Sequence, residues 1–428
     1  MPSLRTCSAK YAAHGVGFSG RRADASSFCP LPSPEPLLAA LGVFTIDTHG
    51  EYRRAIRETW LRAAPAARIA ARFVMHGLGA RVELLEEAHR HRDTIFVRAQ
   101  AEMSCKSAPL RKLLLWLACA PAAWPAASLV GKADDDLWVH LPGVALHVSR
   151  SLAALEATGP PQISGVVWGM IESYHWHEGI HRPVGFTGMR WAYRLLPGAG
   201  KLEKCRRRSA PQLLPGRNDV PKWWLSSMDV GTDGVGNVTG PFWFAQGPLY
   251  LLSGHLAAQV VASEWVQHEA DAAARSGDAD PTAPEPTWPW EDVFLGAALA
   301  HAARGERLAA IHVGSTGRPG IFSWEWGVRA APSTLVWHMR LKNPERIRVL
   351  EEWASKNPER CDLAFDRLDC RTYVSCATAQ WDACEPRLRG NCSTRLKDVL
   401  TSRLRPRGAE GARRRTSRAR VRLAASET

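Results

Sequence analysis

The sequence lacks an apolar run long enough to cross a membrane. A spanning helix needs about 20 consecutive apolar residues, and the longest candidate, PLLAALGVFTI at residues 36–46, is much shorter and leads directly into Asp47 and His49. Its length and its polar end predict a buried strand followed by a loop. Residues 1–35 have scattered basic residues without the apolar core of a signal peptide, so they indicate no targeting route.

The C-terminal cysteine cluster lacks a CxxC pair. Five of the ten cysteines fall within residues 361–392, and their spacing disfavours a structural zinc site. Disulfides formed in an oxidising compartment are the better interpretation, with the fifth cysteine either free or paired elsewhere, for example with Cys205. The sequons at Asn237 and Asn391 are compatible with passage through the secretory pathway.

The basic charge is not spread along the chain. Residues 401–428 hold nine Arg and two Glu, so +7 of the net +13 lies in this tail. The tail has no interleaved aromatic residues, and we expect a disordered basic terminus with no specific nucleic-acid partner. With 428 residues and 45% hydrophobic content, the rest of the chain is large enough for a substantial core.

Apolar runs alternate with helical patterns through the first 160 residues. Runs such as LLAALGVFTI, ARFVMHGL and SLVGKADDD alternate with stretches such as EYRRAIRETW and RVELLEEAHRHR. This rhythm predicts an α/β fold with a mostly parallel central sheet flanked by helices. Ligands of such sheets bind at the carboxyl ends of the strands, where residues 134–136 fall. Residues 160–240, rich in Gly, Pro and Trp, indicate loops and short strands.

Three consecutive aspartates, Asp134, Asp135 and Asp136, lie between the apolar runs SLV and LWV. Side chains at i and i+2 of an extended chain point the same way, so Asp134 and Asp136 suit a divalent cation, or a cation and a ribose. The alternative is a solvated acidic turn without a ligand. The apolar flanks favour the cation site.

Six motifs follow one another between roughly residues 37 and 345: RRAIRETW (53–60), Lys112 with Trp116, KADDD (132–136), Lys222 with Trp223, GPLYLLS (247–253) and EDVFLG (291–296). In this order they resemble glycosyltransferase family 31, the β-1,3-galactosyltransferase and N-acetylglucosaminyltransferase group. The chain departs from the family at residues 107–112 and at Pro248, and it carries a polar insertion at residues 271–289. None of these departures removes a carboxylate that the chemistry requires.

The resemblance implies a GT-A nucleotide-sugar transferase fold. It implies an inverting transfer of galactose or N-acetylglucosamine from a UDP-hexose to a hydroxyl of a glycan on a glycoprotein or glycolipid, with a β-1,3 linkage. It also implies Mn²⁺ or Mg²⁺, which would stabilise charge on the leaving diphosphate. A type II membrane protein of the Golgi lumen is the setting that the family implies, although the sequence shows no anchor.

The same resemblance suggests a role for each site residue. Asp292, in the EDV motif, is the expected base for the acceptor hydroxyl, with helix capping as the alternative. Asp136 and Asp134 would hold the metal, and His338 would complete its shell, with His312 as the second candidate.

Further residues are expected to contact the substrates. The expected donor-binding residues are Arg53, Arg57, Lys132, Asp134 and Asp135. Ion pairs with neighbouring acids are the competing explanation for the three basic residues. Glu291 and Trp223 are expected near the acceptor, and core packing is the alternative for the tryptophan.

The expected organisation is an N-terminal extension (1–36), a GT-A catalytic domain (37–345) with a flexible insertion (271–289), a Cys-rich segment (346–400) and a disordered basic tail (401–428). A second possible function on the same fold is a catalytically silent protein that binds glycans or nucleotide sugars. It is favoured if the altered loop at Gly247 and Pro248 blocks the donor.

Overall fold

The structure of the protein is a computed structural model that describes residue 30 and residues 32–76, 82–97, 107–158, 163–177, 182–188, 238–275, 291–303, 305–313, 322–324, 335–338, 343–356, 365–374 and 380–388. Trp223, the basic tail and most of the predicted insertion lie outside these ranges. Within them, none of the helices is both long and apolar enough to cross a bilayer.

The first half of the chain alternates strands and helices as predicted. Its elements are β1 (Ala39–Phe44), α1 (Gly50–Glu58), β2 (Ile69–His76), α2 (Val82–His91), β3 (Thr94–Val97), α3 (Ser107–Ala123), β4 (Leu129–Asp134), β5 (Leu137–Val139) and α4 (Leu141–Thr158). A short 3-10 helix, Trp60–Ala63, follows α1.

The second half adds longer strands. Its elements are β6 (Ile163–His177), β7 (Arg182–Gly188), β8 (Val238–Ser253), α5 (Gly254–Ala262), α6 (Glu264–Arg275), α7 (Glu291–Ala302), β9 (Arg307–His312), β10 (Phe322–Trp324), β11 (Val336–His338), α8 (Glu345–Lys356), β12 (Phe365–Val374) and β13 (Gln380–Leu388). Two details differ from expectation. β6 has 15 residues, because Val, Ile and aromatic residues favour a strand there, and α6 extends into the predicted insertion.

The central strands have the order β3-β2-β1-β4-β8-β6-β9. β1 is parallel to β2 and β4, β2 to β3, and β6 to β9, whereas β8 is antiparallel to both β4 and β6. Six of these seven strands therefore run in one direction. The predicted α/β fold with a mostly parallel central sheet is confirmed.

Further strands extend this central sheet or form a second one. β13 pairs with the edge of β9 and with β12, and β7 pairs with β6. A separate three-stranded sheet has the order β10-β11-β5. In it, β11 runs antiparallel to β5 and places His338 opposite Leu137, so it brings a distant part of the chain to the residues after the aspartates.

Helices cover both faces of the central sheet. One buried cluster joins the sheet to α3, α5 and α7, and the other joins it to α1, α4 and α8. Because both faces are buried, the strands are continuous apolar runs, as β1 shows with six buried residues.

Two glycines let α3 approach β1 closely and let β8 approach β4 closely. A methyl group at Gly42 on β1 would lie 2.7 Å from the indole of Trp116, and one at Gly131 on β4 would clash with the Tyr250 carbonyl oxygen on β8. Trp116 Nε1 donates a hydrogen bond to the Gly131 carbonyl at 2.8 Å. The motif residue Trp116 thus fixes α3 against the two strands whose ends form the candidate site.

Candidate active site

The aspartate triplet lies where the strand order changes direction. The chain passes from β1 to β2 and β3 on one side, and then returns to place β4 on the other side of β1. Phe44, the last residue of β1, is the register partner of Asp134, the last residue of β4. Ligands of α/β sheets bind at such a position, beyond the carboxyl ends of the strands.

Three predicted metal ligands meet at this edge. Asp134, Asp136 and His338 each offer a ligand atom, and these atoms all lie within 4.8 Å of one another. His338 Nε2 lies 3.3 Å from Asp136 Oδ1. His312, the second candidate, instead accepts a hydrogen bond from the Ile171 backbone N–H at 3.0 Å, which is a structural role.

Lys132 connects the aspartate triplet to the start of α7. Its ammonium group is buried and lies 2.5 Å from Asp134 Oδ1 and 2.7 Å from Glu291 Oε1. It also donates to the Gly247 carbonyl oxygen at 2.7 Å. The ion pair with a neighbouring aspartate, which was the competing explanation for Lys132, is therefore present, and donor binding stays a prediction.

Asp292 is held on the other side of Gly247. Its Oδ2 accepts a hydrogen bond from the Gly247 N–H and its Oδ1 accepts one from the Val293 N–H, both at 2.8 Å. A methyl group at Gly247 would lie 3.2 Å from Glu291 Oε1 and 3.3 Å from Asp292 Oδ2. Both carboxylates therefore pack against this glycine, and any larger residue at position 247 would crowd them.

The two neighbouring acids differ in proton affinity. Burial, together with the charge of Glu291, raises the pKa of Asp292 to about 7, and Lys132 opposes this rise only in part. Burial also acts to raise the pKa of Glu291, but the ammonium of Lys132 outweighs it and holds that pKa below the usual value. Environments that separate the pKa values of two adjacent carboxyl groups in this way are typical of paired acid and base roles.

Asp135 faces a histidine that the sequence motifs did not indicate. His49 Nδ1 lies 2.8 Å from Asp135 Oδ2, and its ring contacts the ring of Tyr52 at a centroid distance of 4.9 Å. The hydrogen bond to Asp135 raises the pKa of His49, although burial opposes the rise. The sequence signal that could have indicated His49 is its position shortly after the apolar run PLLAALGVFTI, which ends at the edge of the sheet.

Arg53 and Arg57 lie in a cluster of ion pairs. Arg53 binds both carboxylate oxygens of Glu87, at 2.8 and 2.7 Å, and Arg57 contacts Glu87 at 2.6 Å and Asp93 at 2.7 and 2.9 Å. Burial opposes ionisation of Glu87, but the two arginines lower its pKa to about 2. This geometry favours the ion-pair explanation for both arginines, whose donor contact stays a prediction.

Two further motif residues position the aspartate triplet. Trp60, at the end of RRAIRETW, is buried and donates from Nε1 to the Leu137 carbonyl oxygen at 3.1 Å. Lys112 donates to the Thr45 carbonyl oxygen at 2.8 Å, at the end of β1. These contacts fix both sides of the triplet, so the motifs supply support as well as chemistry.

A cleft of about 260 Å³ opens at this edge of the sheet. The residues after β1, the start of α3, the end of β4 and the first residue of α7 line it, and they include His49, Lys112, Lys132, Asp135 and Glu291. The predicted acceptor residue Glu291 thus faces the cleft. The other one, Trp223, lies outside the described residues.

A comparison with known families agrees with the motifs over part of the chain. Residues 51–159 match the family described as Galactosyltransferase, a stretch that contains RRAIRETW and the aspartate triplet and ends before Asp292 and His338. No curated protein matches the chain. Among solved structures, the apo form of mouse xyloside xylosyltransferase 1 aligns with 9% identity and a TM-score of 0.30, covering 72% of this chain and 98% of that one. The resemblance to glycosyltransferase family 31 is confirmed through residues 51–159, and the protein is a glycosyltransferase.

Proposed function

We propose that the protein is a metal-dependent, inverting hexosyltransferase that moves galactose or N-acetylglucosamine from a UDP-sugar to a hydroxyl of a glycan, with a β-1,3 linkage. The observation that supports this proposal most is the meeting of two acidic groups at one sheet edge. Asp134, Asp136 and His338 form one group, Glu291 and Asp292 form the other, and Lys132 lies between them.

The first group fits a divalent metal. Two carboxylates and one imidazole supply the oxygen and nitrogen ligands that Mn²⁺ accepts, and Mg²⁺ is compatible with the carboxylates. The compact spacing of the three ligand atoms is what a single ion requires. When bound, the ion supplies Lewis-acid stabilisation of the charge on the departing diphosphate.

The second group fits the base. In an inverting transfer, the acceptor oxygen bonds to the anomeric carbon while the bond from that carbon to the diphosphate oxygen breaks. UDP leaves with the electron pair, and the hydroxyl proton passes to a carboxylate. Asp292 is suited to take this proton, because its pKa of about 7 matches neutral operating conditions.

Glu291 is the poorer base although it faces the cleft. Its carboxylate is paired with Lys132 at 2.7 Å, which lowers its affinity for a proton. We assign it to acceptor contact and to holding Lys132. Each carboxylate oxygen of Asp292 accepts one backbone hydrogen bond and has a second lone pair, which is available to the acceptor hydroxyl.

The Golgi lumen is the proposed location. Cys119 on α3 is disulfide-bonded, which supports folding in an oxidising compartment, and the membrane association remains a proposal from the family resemblance. Expression of the tagged full-length chain in cells tests the location by co-staining with Golgi and endoplasmic-reticulum markers. Exclusive cytosolic staining would contradict it.

A donor panel tests the function. The purified chain is incubated with UDP-galactose, UDP-N-acetylglucosamine and UDP-glucose plus mixed glycan acceptors, with Mn²⁺ or with a chelator, and UDP release is measured. We expect release with one of the first two donors that requires the metal and is lost in Asp292→Ala. Asp271→Asn, at an exposed acid on α6, is the matched control and should behave like the wild type.

The same panel distinguishes the enzyme from a catalytically silent binding protein. Binding of a UDP-sugar without any release in the presence of acceptors would indicate the silent binding protein. The contacts of Gly247 with Lys132, Glu291 and Asp292 favour the enzyme, because the neighbouring Pro248 leaves them intact.

A further inference from the structure

His49 stands at the edge of the cleft and none of the motifs includes it. It lies between β1 and α1, with its side chain 37% exposed, whereas its partner Asp135 is 10% exposed. Tyr52 packs against its ring, and the ring lines the same cleft as Lys132 and Asp134. One edge of the imidazole is thus held by the protein while part of the ring is open to the cleft.

The contact with Asp135 determines how the ring can meet a ligand. A carboxylate accepts hydrogen bonds, so Nδ1 of His49 carries the proton that is donated to Asp135 Oδ2. Nε2 is then the nitrogen that can contact a ligand. Because Asp135 favours the charged ring, Nε2 can carry a proton as well and donate it in a hydrogen bond to an anion.

Other cations beside the cleft already have protein partners. Lys132 contacts two carboxylates and a carbonyl oxygen, so its three N–H groups are matched by three acceptors. Arg53 is bound to Glu87 and to the Ile46 carbonyl oxygen. Lys112 also lines the cleft and donates to the Thr45 carbonyl oxygen, so both Lys112 and His49 can donate to an anionic ligand that enters beside the triplet.

We infer that His49 is a further donor-binding residue, whose Nε2 contacts the diphosphate of the nucleotide sugar while its Nδ1 holds Asp135 in place. The inference rests on the proposed function. His49, Asp134 and Asp135 all line the same cleft, so a diphosphate held through a metal at Asp134 and Asp136 would lie beside the residue that His49 binds.

Two substitutions test the roles of the two ring nitrogens separately. His49→Asn keeps an N–H near the position of Nδ1, so it preserves the contact with Asp135 and deletes Nε2. His49→Gln places an amide nearer to the position of Nε2. Calorimetry measures the Kd for UDP with Mn²⁺, ligand-observed NMR measures the Kd for uridine, and thermal unfolding checks that each variant folds.

We expect His49→Asn to weaken UDP binding by about tenfold to a hundredfold, the effect of a lost hydrogen bond to a charged group. Uridine binding should not change, because uridine has no phosphate. His49→Gln should bind UDP better than His49→Asn. In turnover, His49→Asn should raise the KM for the donor and leave the KM for the acceptor as in the wild type.

His268 provides the control. It is 72% exposed on α6 beside Glu269 at 3.4 Å, so His268→Asn alters a histidine–carboxylate pair away from the cleft and should leave UDP binding unchanged. The inference would be overturned if His49→Asn bound UDP as tightly as the wild type, or if its affinity for uridine fell as much as its affinity for UDP. In either case, turnover by the wild type would still support the proposed enzyme function. A wild-type protein that binds no UDP and releases none from UDP-sugars would overturn the proposed function as well.

Discussion

Replacement of Asp292 by Asn should remove the base and the pH dependence that the base imposes. Loss of a positioned base typically lowers the rate by about 10²–10⁴. In the wild type, the carboxylate must be ionised to accept a proton, and its pKa is about 7. Activity should therefore fall as the pH drops below about 7, by roughly tenfold for each further pH unit. The residual activity of Asp292→Asn should be flat over the same range.

Glu291→Gln should shift the acid limb of the pH profile, the fall in activity below about pH 7, to lower pH. Glu291 Oε1 and Asp292 Oδ2 lie 3.2 and 3.3 Å from one point beside Gly247, so these two oxygens are at most about 6.5 Å apart. Two unit charges at this separation repel by about 2.5 kcal/mol at an effective dielectric constant of about 20. Removing the Glu291 charge should lower the midpoint by on the order of 1–2 pH units, since Lys132 screens part of the repulsion.

The assay is kcat/KM for the donor from pH 5 to pH 9, with saturating metal and with each variant checked for folding. Gln keeps an oxygen that can accept from Lys132, so Glu291→Gln tests the charge more than the contact. Glu264→Gln, at the exposed start of α6, is the matched control and should keep the wild-type profile. An acid limb that persists in Asp292→Asn, or one that Glu291→Gln does not shift, would refute the assignment of Asp292 as the base.

Three further predictions concern the metal, the support of the triplet and the ion-pair cluster. Mn²⁺ at a hundred times its Kd should stabilise the wild type by about 2.7 kcal/mol, whereas Asp136→Asn should show little stabilisation in the same thermal-unfolding titration; equal stabilisation would contradict the metal site. Trp60→Phe should cost about 1–3 kcal/mol of unfolding free energy in urea, because it leaves the Leu137 carbonyl without its donor; no measurable cost would contradict this role. Glu87→Gln should cost on the order of 3 kcal/mol at pH 7. Because the folded state lowers the pKa of Glu87 to about 2, this stabilisation exists above about pH 4.5 and is lost toward pH 2, so the two proteins should converge in acid.

Much of the fold could be predicted because its determinants are local. The apolar runs that became β1, β2, β3 and β4 are buried on both faces, and such runs are visible in the sequence without knowledge of their neighbours. The length of β6 was not predicted, because its Gly and Trp residues are typical of loops and their pairing with β8 and β9 depends on distant parts of the chain.

The site was predictable where residue type alone limits the chemistry. Adjacent acids at a strand end indicated Asp134 and Asp136, and the motif resemblance added His338. The arrangement of β11 beside β5, which distinguishes His338 from His312, is a long-range contact. The contact of His49 with Asp135 spans 86 residues, and no local pattern marks it.

The position of Lys132 also limits how such enzymes can be recombined. The family match ends at residue 159, so a chimera joined between there and α7 would take Lys132 from one parent and Glu291 from the other. A buried ammonium that loses its partners costs several kcal/mol, and the new α7 and β8 would have to offer both a carboxylate and a carbonyl oxygen at the same points. We therefore do not expect the two segments to be exchangeable as independent modules, and successful chimeras should be those whose parents share this ion pair.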